Sequence, residues 1–202
     1  MATVVATPTT QAKFSEKVRP IRGHWRSSDL ELLPDNGTQY EIINGELYMS
    51  KSPHWRHQAA CTKVAAKLTL WSESSGSGEA VINPGIIFTD ANDVIPDVVW
   101  ISNERLGALM DDAGHLTGAP ELVIEALSFG PRNEERDRTA KRKLYETQGV
   151  REYWILDWRL KQVELYRRER GELRLVATLL PEDTVTSPLL PGFACVVSDL
   201  FS

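Results

Sequence analysis

The chain has 202 residues, of which 42% are hydrophobic and 25% charged, and carries a formal charge of −5. These proportions exclude collagen-like and disordered classes, and the length favours one substantial core over two independent domains. No apolar run approaches the roughly 20 residues that cross a bilayer, and the N-terminus lacks the charged start and apolar core of a secretory signal, so no membrane association is expected and the cytoplasm is the expected compartment.

Residues 1–22 are rich in Thr, Ala and small polar residues without a sustained period, which predicts a flexible tail, with one domain over 23–202. Ser27-Ser28-Asp29 before Leu30, Leu32 and Leu33 reads as a short capped helix that ends at Pro34 and the Asp35-Asn36-Gly37 turn. Asn44-Gly45 between Tyr40–Ile43 and Glu46–Met49 predicts a hairpin with a type I′ turn, because this dipeptide accepts two positive φ angles easily. From His54 to Ser72, Ala60, Val64, Ala65, Leu68 and Trp71 recur at helical spacing, and a Ser/Gly-rich stretch follows. Ala80–Thr89 and Val94–Ile101 read as two strands that pair antiparallel. Residues 103–120 suggest a short helix and a loop, Glu121–Leu127 a central strand, and Pro131–Gln148 a second long helix capped by Gly149. Arg151–Asp157, Gln162–Arg168 and Leu173–Leu180 make a β-meander, and Pro188–Ser198 adds a last strand-like piece. The fold class is therefore α/β, a mixed sheet flanked by helices with a hairpin in front and an antiparallel meander behind.

Three acids fall where burial is costly without a partner: Asp97 after Ile95-Pro96, and Glu121 and Glu125 on one apolar strand. Alternation puts Glu121, Val123, Glu125 and Leu127 on one face and Leu122, Ile124 and Ala126 on the other. Two carboxylates on adjacent strands suit Mg²⁺, a hard cation that takes oxygen ligands and keeps waters. A purely structural reading stays open, with Asp97 closing a turn and Glu125 paired to a buried base. Lys141 tilts the balance towards chemistry, since Asp137, Lys141 and Tyr145 form one i, i+4 stripe on the helix after Glu125, where an ammonium can neutralise developing phosphate charge. The basic run Arg132, Arg136, Arg138, Lys141, Arg142 and Lys143 is broken by Glu134, Glu135 and Asp137, so charge alone also fits a solvated helix. Cys61 and Cys195 have apolar neighbours and no zinc-ligand spacing, so buried free thiols and no zinc are expected.

Several pieces taken together carry a resemblance: Gly45-Glu46 in the hairpin, a His-bearing helix, Pro96-Asp97, Glu121-Leu-Val-Ile-Glu125-Ala-Leu-Ser128, Asp137-x-x-x-Lys141-x-x-x-Tyr145, and Gly149-Val-x-Glu152-Tyr153-Trp154. Over about residues 25–185 the chain resembles the Uma-type family of restriction-endonuclease-like proteins, which look like the PD-(D/E)XK nuclease superfamily. The resemblance implies a restriction-endonuclease-like fold and a metal-dependent endonuclease that hydrolyses DNA. Asp97 and Glu125 would be its metal-binding acids, with Mg²⁺ as cofactor and Mn²⁺ as substitute. It also implies a homodimer, because cutting two strands calls for two sites. Leu127 stands where the superfamily pattern expects lysine, and Lys141 is the candidate replacement. Glu46, His57, Glu121 and Tyr145 are further candidates for the site. The competing reading is a catalytically inactive module of the same fold that binds nucleic acid or protein, which the missing strand lysine favours.

Overall fold

The computed structural model describes residues 23–202, so the predicted tail lies outside the described residues. Its centre is a six-stranded sheet in the order β10-β9-β8-β7-β6-β3. The strands are β3 (Gly78–Ile82), β6 (Val98–Ser102), β7 (Leu122–Ala126), β8 (Glu152–Asp157), β9 (Gln162–Glu169) and β10 (Glu172–Leu179). Only β7 and β8 run parallel; the other neighbours are antiparallel, and β8-β9-β10 form the expected meander. A parallel pair needs a crossover, and the long helix supplies it. That helix begins as α4 (Pro131–Glu135), widens to a π-helical turn (Arg136–Lys141) and resumes as α5 (Arg142–Gln148), ending at Gly149 with φ 94°.

The strand alternation predicted for β7 is realised as two cores. Leu122, Ile124 and Ala126 pack with Trp154 and Leu156 against α2 (Trp55–Ser75) and the C-terminal segment. Val123 and Leu127 pack on the other face with Leu144, Tyr145, Tyr153 and Ile155. Helix α2 starts where His54 Nδ1 accepts the Arg56 amide at 3.1 Å and stops at Gly76, φ 65°. Between α2's end and β6, Trp100 donates its Nε1–H to Ser72 Oγ at 2.8 Å, which satisfies both polar groups in a buried place.

A second sheet of four strands, β2-β1-β5-β4, covers the other face. It contains the hairpin β1 (Gln39–Ile43) and β2 (Glu46–Ser50), turned by Asn44 and Gly45 at φ 51° and 76°, together with β4 (Ile86–Thr89) and β5 (Asn92–Val94). The two strands expected over 80–89 and 94–101 thus each divide in two. Their antiparallel pairing holds, as β3 with β6 in one sheet and β4 with β5 in the other. The breaks fall at Asn83-Pro84-Gly85 and Ile95-Pro96-Asp97, because proline has no N–H to offer a ladder and the chain there steps from one sheet to the other. The predicted C-terminal strand is half of a separate ribbon, β11 (Thr184–Thr186) with β12 (Ala194–Val196). Short helices α1 (Ser27–Leu30) and α3 (Asn103–Leu109) and a 3₁₀ turn (Val197–Leu200) complete the described chain. No helix among the described residues is long and apolar enough to cross a membrane.

Candidate active site: an acid-lined cleft between the two sheets

The β5–β6 break places Asp97 where the chain leaves the second sheet and enters the first. Past the last pair of the β6–β7 ladder, Val98 with Ile124, the Asp97 carboxylate takes over and accepts the Ala126 amide at 2.8 Å. Glu125, next to that amide, points to the opposite side of β7 from Ala126 and is 2% exposed. Its Oε1 accepts from Lys141 Nζ at 2.9 Å and from the Tyr145 hydroxyl at 2.8 Å. From the second sheet, Glu41 on β1 also meets Lys141 Nζ, at 2.9 Å, and accepts the Ile95 amide at 3.0 Å. Asp97, Glu125, Glu41, Lys141, Arg136 and His57 line a common cleft of about 30 Å³, room for an ion with a water.

Four carboxylates, on Glu41, Asp97, Glu125 and Asp137, face two permanent cations, Lys141 and Arg136. Burial pushes the Glu125 carboxyl up, to about 8, and the neighbouring acids add to this against the pull of Lys141. Burial also raises Asp137, although Lys141 and Arg136 oppose it, and Asp137 Oδ2 is a buried oxygen with no hydrogen-bond partner. Asp97 goes the other way: burial alone would raise it, but the hydrogen bond and charge of His57, with Lys141, hold it below its ordinary value. Burial opposes a charged His57, yet Asp97 at 3.3 Å from its Nε2 outweighs that and raises the imidazole. Burial would likewise depress Lys141, but Glu125 and Glu41 keep it firmly protonated. Glu41, Asp97 and Glu125 present carboxylate oxygens to one cleft, and the crowding of buried acids that lifts the Glu125 carboxyl is what a bound dication would relieve, so the oxygen donor set fits Mg²⁺.

The structure brings Asp97, Glu125 and Lys141 together as the sequence suggested, with Tyr145 and His57 beside them. It does not bring Glu46 or Glu121. Glu46 is exposed at the hairpin turn and accepts from the Tyr48 hydroxyl at 3.2 Å. Glu121 lies buried at the opposite end of β7, where it accepts the Ser102 amide at 3.1 Å and hydroxyl at 2.7 Å and so braces the start of α3. Glu41 was not singled out from the sequence, and Arg136 was read there only as part of a basic run, whereas Asp137 was placed on one helical stripe with Lys141 and Tyr145. The signal for Glu41 was its two-residue spacing from Ile43, which puts an acid on the buried side of β1. The burial of Arg136 was hidden by the π-helical turn, whose extra residue per turn buries Arg136 and Asp137 along with Lys141. Leu127 is fully buried in the core, and Lys141 delivers the ammonium to Glu125 from the helix instead.

His57, Cys61 and Asp97 bring nitrogen, sulfur and oxygen atoms within 4.8 Å of one another. The sulfur sits 3.7 Å from Nδ1 while the carboxylate meets Nε2, so the two ligands approach opposite sides of the ring. Burial also drives the thiol far above its ordinary pKa, away from the thiolate that zinc takes. The geometry is that of a relay orienting Asp97, in keeping with the expectation of buried free thiols.

The mixed sheet with its flanking helices has a nuclease-like fold. The chain belongs to the family described as "Putative restriction endonuclease" (Uma2), whose model matches residues 27–198. The fold is shared with a crystal structure of "a putative nuclease belonging to DUF820" from Anabaena variabilis, at TM-score 0.70 and 19% identity over 87% of this chain and 97% of that one. No curated protein matches the chain.

Proposed function

We propose that the protein is a Mg²⁺-dependent endonuclease that hydrolyses DNA phosphodiester bonds at this cleft. The observation that carries the reading is the convergence of Glu125 and Glu41 on one ammonium, Lys141, in a cleft at the junction of the two sheets that Asp97 also lines. Asp97 and Glu125 would hold the ion, with Glu41 as a third oxygen donor, and Mn²⁺ would serve in its place. When bound, the ion polarises the phosphoryl oxygens and lowers the pKa of a water. Lys141 stabilises charge that develops on the phosphate, as a compact cation fixed by Glu125 and Glu41 before substrate arrives. Tyr145 fixes Glu125 by its hydroxyl, and His57 fixes the Asp97 carboxylate so that one oxygen stays turned to the cleft. Cutting both strands would take two copies of the site, hence a homodimer.

The test is cleavage of supercoiled, linear and single-stranded DNA with Mg²⁺ or Mn²⁺ by wild type and by Asp97→Ala, Glu125→Ala and Lys141→Ala. Each variant is expected to lose on the order of 10²-fold or more in rate. A wild type that cuts nothing and binds neither ion through Asp97 and Glu125 would overturn the reading in favour of a nuclease-fold binding module.

A further inference from the structure

Two larger cavities open beside the carboxylate cleft, and aromatic rings wall both. The first, about 520 Å³, reaches from Met49 to Phe129 and Trp158 and shares Lys51, Pro53, His57 and Ser128 with the cleft. The second, about 450 Å³, lies between Trp55, Arg56, Lys161 and Phe201 and has Trp158 as its common wall with the first. Although the chain is acidic overall, no Asp or Glu lines either cavity among the described residues, and Lys51, Arg56 and Lys161 stand exposed at their rims. The charged side chains that line these cavities are therefore basic, in contrast to the acidic balance of the chain as a whole.

The rings are held in place, with the Arg159 guanidinium over Phe129 at 5.8 Å, and two of them stay largely exposed. His54 stacks on Trp158 at 4.7 Å and 4°, and Phe129 meets His54 and Trp158 edge-on at 5.6 and 5.0 Å. Trp158 is pinned by its Nε1–H to the Leu127 carbonyl at 2.9 Å. Trp55 is 84% exposed and Phe129 57%. A single exposed aromatic is ordinary on a protein surface, but two that flank a rigid aromatic wall, with cations lining the same two cavities and a reaction cleft adjoining one of them, form a stacking platform.

We infer that this surface is a track for an unpaired DNA strand, with bases stacked on Trp55 and Phe129 and phosphates drawn to Lys51, Arg56 and Lys161, feeding the carboxylate cleft. The inference rests on the nuclease reading for the choice of DNA and for the direction of the track. Unpaired strands are the occupant because base faces are covered within a duplex, and stacking asks nothing of the sequence.

The test is fluorescence anisotropy of the full chain with a labelled oligothymidylate and with a matched duplex of equal length, in EDTA so that no cleavage intervenes. The oligothymidylate is expected to bind more tightly than the duplex. Trp55→Ala weakens it about tenfold, Trp55→Phe retains most of the affinity, and Lys161→Gln lowers the slope of log affinity against log salt by about 0.7. Trp55 lies on the surface, so its loss leaves the melting temperature unchanged and binding can be read on folded protein. Equal or tighter duplex binding, no binding of oligothymidylate, or affinity indifferent to both Trp55→Ala and Phe129→Ala overturns the track. The two readings fail separately: metal-dependent cutting with ring-independent binding removes the track alone, whereas ring-dependent binding without cutting removes the nuclease reading alone.

Discussion

Glu121 and Glu125 are the same residue type, four positions apart, on the same face at the two ends of β7, and both are buried. Glu121 finds its partners in the amide and hydroxyl of Ser102 and in the Arg105 guanidinium at 3.9 Å, so one cation and two neutral donors answer one acid. Glu125 meets ionised groups in surplus, with Lys141 between it and Glu41 and with Asp97 and Asp137 near by. A buried strand acid is thus not in itself a site. What separates the two ends is whether the acid's surroundings balance it or leave negative charge that an added cation would relieve.

Exchanging each acid for its amide breaks the comparison most directly. Glu125→Gln is expected to lower Mg²⁺-dependent cleavage by about 10²-fold or more. Glu121→Gln keeps cleavage and costs about 1 kcal/mol in a urea melt through the weakened Ser102 contacts. If both variants cut equally well, the two ends of β7 do not differ in the proposed way.

Lys141→Met probes the charge balance alone. Removing one partner of a buried ionic cluster costs about 3–5 kcal/mol, and here it strands both Glu41 and Glu125. Added Mg²⁺ should recover part of that loss, giving this variant a larger metal-induced rise in melting temperature than wild type. An equal rise in both would show that the carboxylates do not hold the ion.

The His57–Asp97 pair adds a pH signature to the Glu125 end of β7. Asp97 is held below its ordinary 3.8, so its contribution to stability is present above that pH and lost as pH falls through the lowered value. His57 is raised above 6.5, so its contribution is complete below 6.5 and lost as pH rises through the raised value. Between about pH 6 and pH 9, wild type should therefore lose more stability than His57→Gln when the two are followed by thermal melts. Parallel profiles would leave His57 without the proposed hold on Asp97. The smallest effect belongs to Glu46→Gln, expected to change stability by less than about 0.5 kcal/mol and cleavage not at all.

Much of this was legible in the sequence because its signals are local. Asn44-Gly45 dictated the hairpin turn, the spacing from Ala60 to Leu68 dictated α2, and Gly149 marked the helix end. Alternation assigned Glu125 and Glu121 to one face of β7 and the other strand positions to their two cores. The choice of Glu46 over Glu41 shows the limit. Both are hairpin acids, and β1's pairing with β5 builds the second sheet over one of them and leaves the other at an exposed turn.

By itself, then, the sequence determined the periodic elements, their caps and the acids and base that need explaining, since these follow from backbone preference and side-chain spacing within a few residues. Only the tertiary structure decided that Pro84 and Pro96 split two strands between two sheets, that a π-helical turn buries Arg136 and Asp137, and that Glu41 joins Asp97, Glu125 and Lys141. These depend on charges and ladder ends contributed by segments far apart in the chain, whose mutual energies exist only once the two sheets have closed on one another.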